Sequence, residues 1–138
     1  MKVAIPVLEN NGLNSVISEH FGHAPYFAFV EIKNNNQNQD SNQYNLEIIK
    51  NPLENHGPGD IPNYLKRENV DVLIVRGIGG RAMQFFQQLG IQVYRGASGN
   101  VKTLIQAFLN KKIEDREYHV KEKYNEYKSN NGENGNCK

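Results

Sequence analysis

Hydrophobic positions along this chain follow two different periods, and the change falls near residue 51. Lys2 to Leu8 is a short, β-branched-rich run, the pattern of a buried first strand. Glu9-Asn10-Asn11-Gly12 is turn chemistry and opens a loop that runs on to His20. Tyr26 to Lys33 and Tyr44 to Lys50 read as two more strands, and the single loop between them predicts antiparallel pairing. That loop, Asn34 to Asn42, is almost wholly Asn and Gln and reads as a low-complexity hairpin connection.

Beyond residue 51 the spacing lengthens. Asn51 to Gly59 is a Pro/Gly loop, and Asp60 is placed to cap a short helix with Pro62 in its first turn and Ile61 and Leu65 on one face. Val70 to Val75 is wholly apolar apart from Asp71 and predicts a buried fourth strand. Arg81 to Leu89 is an amphipathic helix stopped by Gly90, and Ile91 to Tyr94 is a fifth strand. Asn100 to Leu109 closes the pattern as a helix with Val101, Leu104, Ile105 and Phe108 at helical spacing. Three strands followed by alternating helices and strands predict an α/β domain: a mixed sheet covered on both faces, in three layers α/β/α.

Composition narrows the function classes. The 138 residues fit one domain, and 16 Lys and Arg against 15 Asp and Glu leave a net charge of +1, so no claim on nucleic acid or an acidic membrane surface is expected. The single cysteine, Cys137, excludes an internal disulfide. No apolar stretch approaches the ~20 residues that span a bilayer, and the opening residues read as a strand rather than a signal peptide, so a cytoplasmic protein is expected. Residues 113–138 read as an appendage. Ile113 to Lys128 is expected to extend as a charged helix with a weak stripe of Tyr118, Val120, Tyr124 and Tyr127, and Ser129 to Lys138 to be disordered.

Candidate chemistry concentrates in His20-Phe21-Gly22-His23-Ala24-Pro25-Tyr26-Phe27. Pro25 pushes Ala24 out of the α region, and Gly22 is free to adopt angles closed to other residues, which predicts a tight turn presenting imidazoles at a strand end. Imidazole is the commonest transition-metal ligand among side chains. The competing reading of either histidine is a solvated turn residue. In open sheets ligands bind beyond the carboxyl ends of parallel strands, and the loops there carry Arg76 to Gly80 and Arg95 to Gly99, with His56-Gly57-Pro58-Gly59 before the first helix. Arg76, Arg81 and Arg95 make that rim suited to an anion, the nearest acids being Glu19 and Asp60.

Gly77-Ile78-Gly79-Gly80-Arg81-Ala82 matches the dinucleotide pattern G-x-G-x-x-A, but no Asp or Glu occurs between Asp71 and Glu114 to hold a ribose, and the motif follows the fourth strand rather than the first. What survives is a set of amides at a helix N-terminus able to cradle an anion, beside the alternative of a tight turn needed for close packing. No nucleophile elbow is present, and the strand ends lack the carboxylates that two-metal hydrolysis requires.

The segments MKVAIPV, HFGHAPYF, HGPG, RGIGGRA, IQVYRG and VKTLIQAFLN, in this order and spacing, resemble the dinitrogenase iron–molybdenum cofactor biosynthesis family, the domain of NifX-type carriers and of the C-terminal part of NifB-type proteins. The resemblance covers about residues 1–112. It implies a ribonuclease-H-like fold with a five-stranded sheet of order 3-2-1-4-5, strand 2 antiparallel. It also implies a non-catalytic carrier of an iron–sulfur or molybdenum–iron–sulfur cluster, working with cluster donor and acceptor proteins as a monomer or weak homodimer. Carried across by motif, His20 is the leading ligand, with His23 and His56 as further metal-binding candidates. Phe21, Gly22, Gly57, Arg76, Gly77, Gly79, Gly80 and Arg81 line the same site. Anchored iron–sulfur clusters take several Cys thiolates, which residues 1–136 do not offer. A cluster must then arrive preassembled and be held reversibly, so purified protein need not retain it. The alternative is a small regulatory or scaffolding domain whose rim binds a simple anion or an acidic partner segment.

Overall fold

The computed structural model describes residues 1–33, 44–53, 57 and 59–116. The Asn/Gln loop, His56 and the tail from residue 117 lie outside the described residues. Five strands, β1 (Lys2–Val7), β2 (Tyr26–Ile32), β3 (Tyr44–Lys50), β4 (Val72–Ile74) and β5 (Gln92–Tyr94), form one sheet in the order β3-β2-β1-β4-β5. β2 pairs antiparallel with both β1 and β3, whereas β4 pairs parallel with β1 and with β5. The mixed order implied by the resemblance is thus the observed one. Because β2 alone runs backwards, the loops after β1, β3, β4 and β5 and the turn before β2 all reach the same end of the sheet.

Strand alternation divides the core into two layers. Val3, Ile5 and Val7 of β1 meet Val101, Leu104 and Ile105 of α3 (Val101–Leu109) on one face. Ala4, Phe27, Phe29 and Leu73 point to the other face, against Ile61 and Leu65 of α1 (Asp60–Arg67) and Phe86 of α2 (Gly80–Leu89). Phe27 and Phe86 are fully buried, each contributing about 1.5–3 kcal/mol of transfer free energy.

Local chemistry fixes the helix ends. Asn100 is the N-cap of α3, its side-chain oxygen accepting from the Thr103 N–H at 2.9 Å. Gly90 ends α2 in the left-handed region at φ 76°, where a Cβ would be strained. At α1 the expected cap moves by one residue: Gly59 holds the N-cap position, and Asp60, already helical, accepts the Gly57 N–H at 2.8 Å. Residues 112–116 are not helical. They meet the loop that follows β5 instead, where the Arg116 N–H donates to the Arg95 carbonyl at 3.0 Å.

Candidate functional site

The turn predicted from the two histidines is a single 3-10 turn, Phe21–His23, with His20 just before it. Ala24 is extended at φ −68° and ψ 131°, as Pro25 requires. Gly22 is not among the glycines in the left-handed region, so its place in the turn does not rest on special backbone angles. His20 and His23 are both exposed, with ring centroids 6.0 Å apart and the planes crossed at 72°. The Glu19 carboxylate stands 3.8 Å from His20 Nε2. Phe21, between them, turns inward and packs edge-on to Phe86 at 5.4 Å.

Two buried polar side chains that the hydrophobic pattern did not mark hold this turn at its ends. Ser18, 4% exposed, donates its hydroxyl to the His20 carbonyl at 3.1 Å. Asn51, 8% exposed, donates its amide to the Ala24 carbonyl at 2.9 Å and accepts the Leu53 N–H at 2.9 Å, while its own N–H donates to Pro25 O at 2.9 Å. Buried polar groups are retained where they are satisfied, and here the Ser18 hydroxyl, the Asn51 amide and the Asn51 N–H all bond the segment that carries the histidines. Nothing periodic in the sequence signals either residue.

The rim loops are tied to one another by backbone bonds. Phe21 N–H donates to Gly77 O at 3.2 Å and Gly77 N–H to Glu19 O at 3.1 Å, so the histidine turn and the glycine loop are zipped together. Gly96 N–H donates to Arg76 O at 3.0 Å and Ile17 N–H to Gly99 O at 3.0 Å, which locks the loop after β5 onto both neighbours. The histidine turn, the glycine loop and the loop after β5 are therefore gathered on a cross-braced frame. Gly77 is buried within it, its amide committed to Glu19. Arg76 donates to the Ala97 carbonyl at 3.3 Å and takes part in the same bracing.

Beside the turn lies a hollow of about 350 Å³ lined by Phe21, Gly22, Gly57, Ile61, Pro62, Gly79, Arg81 and Ala82. A second, of about 310 Å³, is lined by Gly59, Arg81, Gln84, Phe85 and Gln88, so the exposed Arg81 borders both. The N-terminus of α2 opens here through Gly79 and Gly80 with no side-chain cap. First-turn amides of a helix have no intrahelical acceptor and carry the positive end of its dipole, so the wall is electropositive.

Arg95 departs from the expected rim. Asp115 chelates its guanidinium at 2.9 and 3.0 Å and accepts its backbone N–H at 2.8 Å. Those hydrogen bonds from Arg95 hold the Asp115 carboxyl below the usual carboxylate range. The pair is twenty residues apart in sequence, a distance that no helical or strand period predicts.

Among the described residues no three His, Cys, Asp or Glu side chains gather to hold a bare metal ion. Nor is any described helix long and apolar enough to cross a membrane. Among the described residues the arrangement offers exposed imidazole, guanidinium and helix-terminal amides around an apolar-floored hollow, with the Glu19 carboxylate beside His20.

The model of the dinitrogenase iron-molybdenum cofactor family matches residues 1–111. The uncharacterised protein MJ0580 of Methanocaldococcus jannaschii is 37% identical over 117 residues, spanning 83% of this chain and 90% of its own length. Among solved structures, PH0822 is 37% identical with a TM-score of 0.72, covering 88% of this chain and all of that one. A Thermotoga protein, TM1290, described as a candidate NifB protein, is 27% identical with a TM-score of 0.63 over 88% of this chain and 97% of its own. The apo form of the orange protein from Desulfovibrio gigas, at 22% identity and a TM-score of 0.68 over 83% and 92%, shares the fold.

Proposed function

The chain belongs to the dinitrogenase iron-molybdenum cofactor family, and from that membership we propose that it is a non-catalytic carrier that takes up a preassembled metal–sulfur cluster, or a thiometallate precursor, and passes it to another protein. The observation that carries this reading is the donor set: an exposed imidazole next to a glycine-edged, electropositive hollow, in a chain whose residues 1–136 contain no cysteine. A cluster built on the protein would require several Cys ligands. A finished cluster presents anionic sulfides, which accept hydrogen bonds from amides and guanidinium. One or two imidazoles then complete the coordination of an exposed metal atom.

In this reading His20 is the principal metal ligand, and His23 and His56 are the further imidazole candidates. The amides of Gly79 and Gly80 and the guanidinium of Arg81 face the anionic sulfides. Phe21, Gly22 and Gly57 shape the wall, and Arg76 and Gly77 hold the loops in register. The cargo is exchanged between donor and acceptor proteins in the cytoplasm, and no bond of it is made or broken by the chain.

The exposure of Arg81 on both hollows favours a second reading, a scaffolding or regulatory domain that binds a simple anion or an acidic segment through that side chain. Anaerobic mixing with tetrathiomolybdate, followed by desalting and visible spectroscopy, separates the two. The carrier reading expects retained molybdenum and a shifted sulfur-to-metal absorption, both weakened by His20→Ala. Loss of all molybdenum from the wild-type chain on desalting refutes it. Binding that survives His20→Ala and disappears with Arg81→Ala supports the simple-anion reading.

A further inference from the structure

The two outer edges of the sheet are treated differently, and the difference has a consequence for assembly. At the end of β5 the chain itself returns, with Arg116 N–H bonded to Arg95 O and Asp115 holding Arg95. Beyond β3 no strand pairs among the described residues, although β3 is seven residues long. A regular edge of that length, unpaired among the described residues, is a template for another strand.

The direction of its free groups follows from two bonds. Ile32 N–H donates to Met1 O, so even-numbered residues of β2 bond toward β1 and odd-numbered ones toward β3. Asn51 N–H donates to Pro25 O, which independently assigns the odd-numbered residues of β3 to β2. The backbone groups of Tyr44, Leu46, Ile48 and Lys50 therefore face outward. The side chains of Tyr44, Leu46 and Ile48 all lie on the face that α3 packs against and are only half-buried there, while Asn45 and Glu47 are exposed on the opposite face.

We propose that β3 pairs antiparallel with β3 of a second copy across a two-fold axis at Leu46, joining two five-stranded sheets edge to edge. In that register Leu46 faces the partner's Leu46, and Tyr44 faces the partner's Ile48. Each is a hydrogen-bonded pair made by groups that already point outward. The apolar row continues unbroken from one sheet to the next, and Asn45 meets the partner's Glu47 on the other face. Moving the axis to Glu47 would set two carboxylates directly opposite, which is destabilising. Moving it to Ile48 would place Leu46 against Lys50. A shift of the axis to a point between two residues would oppose outward and inward groups and break the ladder. Leu46 is thus the axis at which geometry, polarity and charge agree.

The two-fold axis sends the two rims to opposite ends of the joined sheet. Each candidate site stays separate, and cargo binding does not depend on pairing. Edge pairing over five residues buries little area, so the complex is weak and concentration-dependent.

Sedimentation velocity of the full chain, raised to about 1 mM because small interfaces bind weakly, is expected to show the mass moving from 15.7 kDa toward twice that value. Leu46→Lys, which sets two ammonium groups together at the axis, is expected to return it to the single-chain mass. Because Leu46 also packs against the core, a second variant guards against misfolding. Asn45→Cys with Glu47→Cys, in a Cys137→Ser background, leaves the half-buried β3 positions untouched, since Asn45 and Glu47 are both exposed. On mild oxidation it is expected to give a covalent dimer on a non-reducing gel. A single-chain mass at the highest concentration, together with no crosslink, overturns the proposal. A crosslink from Glu47→Cys alone, in the same Cys137→Ser background, overturns the register.

Discussion

Replacing Gly96 by Ala tests whether residues 112–116 belong to the folded domain. Gly96 sits at φ 81°, and a Cβ there would lie 2.8 Å from Arg116 O and 3.0 Å from Arg116 Cβ. Gly90 has nearly the same angle, φ 76°, but a Cβ added there would meet nothing within 4 Å, so Gly90→Ala reports the backbone cost alone. That cost is about 1–2 kcal/mol for an alanine in the left-handed region. At Gly96 the crossing segment must also move. The Arg116–Arg95 backbone bond is then lost, a net of about 0.5–1.5 kcal/mol. The part-exposed Arg95–Asp115 pair is loosened as well, about 0.2–1 kcal/mol. Gly96→Ala is therefore expected to exceed Gly90→Ala by roughly 1–2 kcal/mol, near 4 °C in Tm per kcal/mol for an ordered domain of about 110 residues. Thermal unfolding followed by circular dichroism gives both numbers. In the Gly96→Ala background a further Asp115→Ala change is expected to add little, because the two act through one contact. Equal falls in Tm for Gly90→Ala and Gly96→Ala would refute the packing of 112–116 onto the loop after β5.

Three other outcomes follow from contacts already described. Asp115→Asn is expected to lower Tm slightly at pH 7. The folded carboxyl is held below its ordinary range, so its stabilisation is complete above about pH 3.9 and the difference from wild type shrinks as pH falls below that value; a difference that grows in acid contradicts the pairing. Asn51→Ala strands the Ala24 carbonyl in a buried place, at about 1–3 kcal/mol, and removes one acceptor from the part-buried Leu53 N–H. Hydrogen exchange of the Phe21–His23 turn is expected to quicken, and unchanged protection there would dismiss Asn51 as its anchor. Asn100→Ala removes the α3 cap and is expected to cost about 1 kcal/mol by urea unfolding, with Asn100→Asp close to wild type.

The order of strands and helices was legible from hydrophobic spacing because each element's period is a local property. Tyr44 to Lys50 is observed between the residues expected, and the left-handed Gly90 ends α2 where the pattern stops. The candidate turn was equally local: two histidines flanking Phe21-Gly22, held extended at Ala24 by Pro25. The strand order came from the family resemblance, since spacing fixes an element's type but not its neighbour in the sheet.

Only the tertiary structure decided which of those candidate residues are committed to other groups and which border a hollow. Arg95 and Arg81 look alike in sequence, yet Asp115 occupies the first while the second borders two hollows. Gly77 and Gly79 belong to one glycine loop, yet the amide of Gly77 is committed to Glu19 while Gly79 caps the open end of α2. Asn51 carries no periodic signal because its partners at Ala24 and Pro25 belong to a segment brought near by folding, whereas Ser18 bonds the His20 carbonyl two residues away and is marked only by its burial. A side chain's type is written at its own position, whereas its availability depends on which distant atoms the fold places against it. Hydrogen bonding is satisfied pair by pair in space, and no one-dimensional pattern records that allocation.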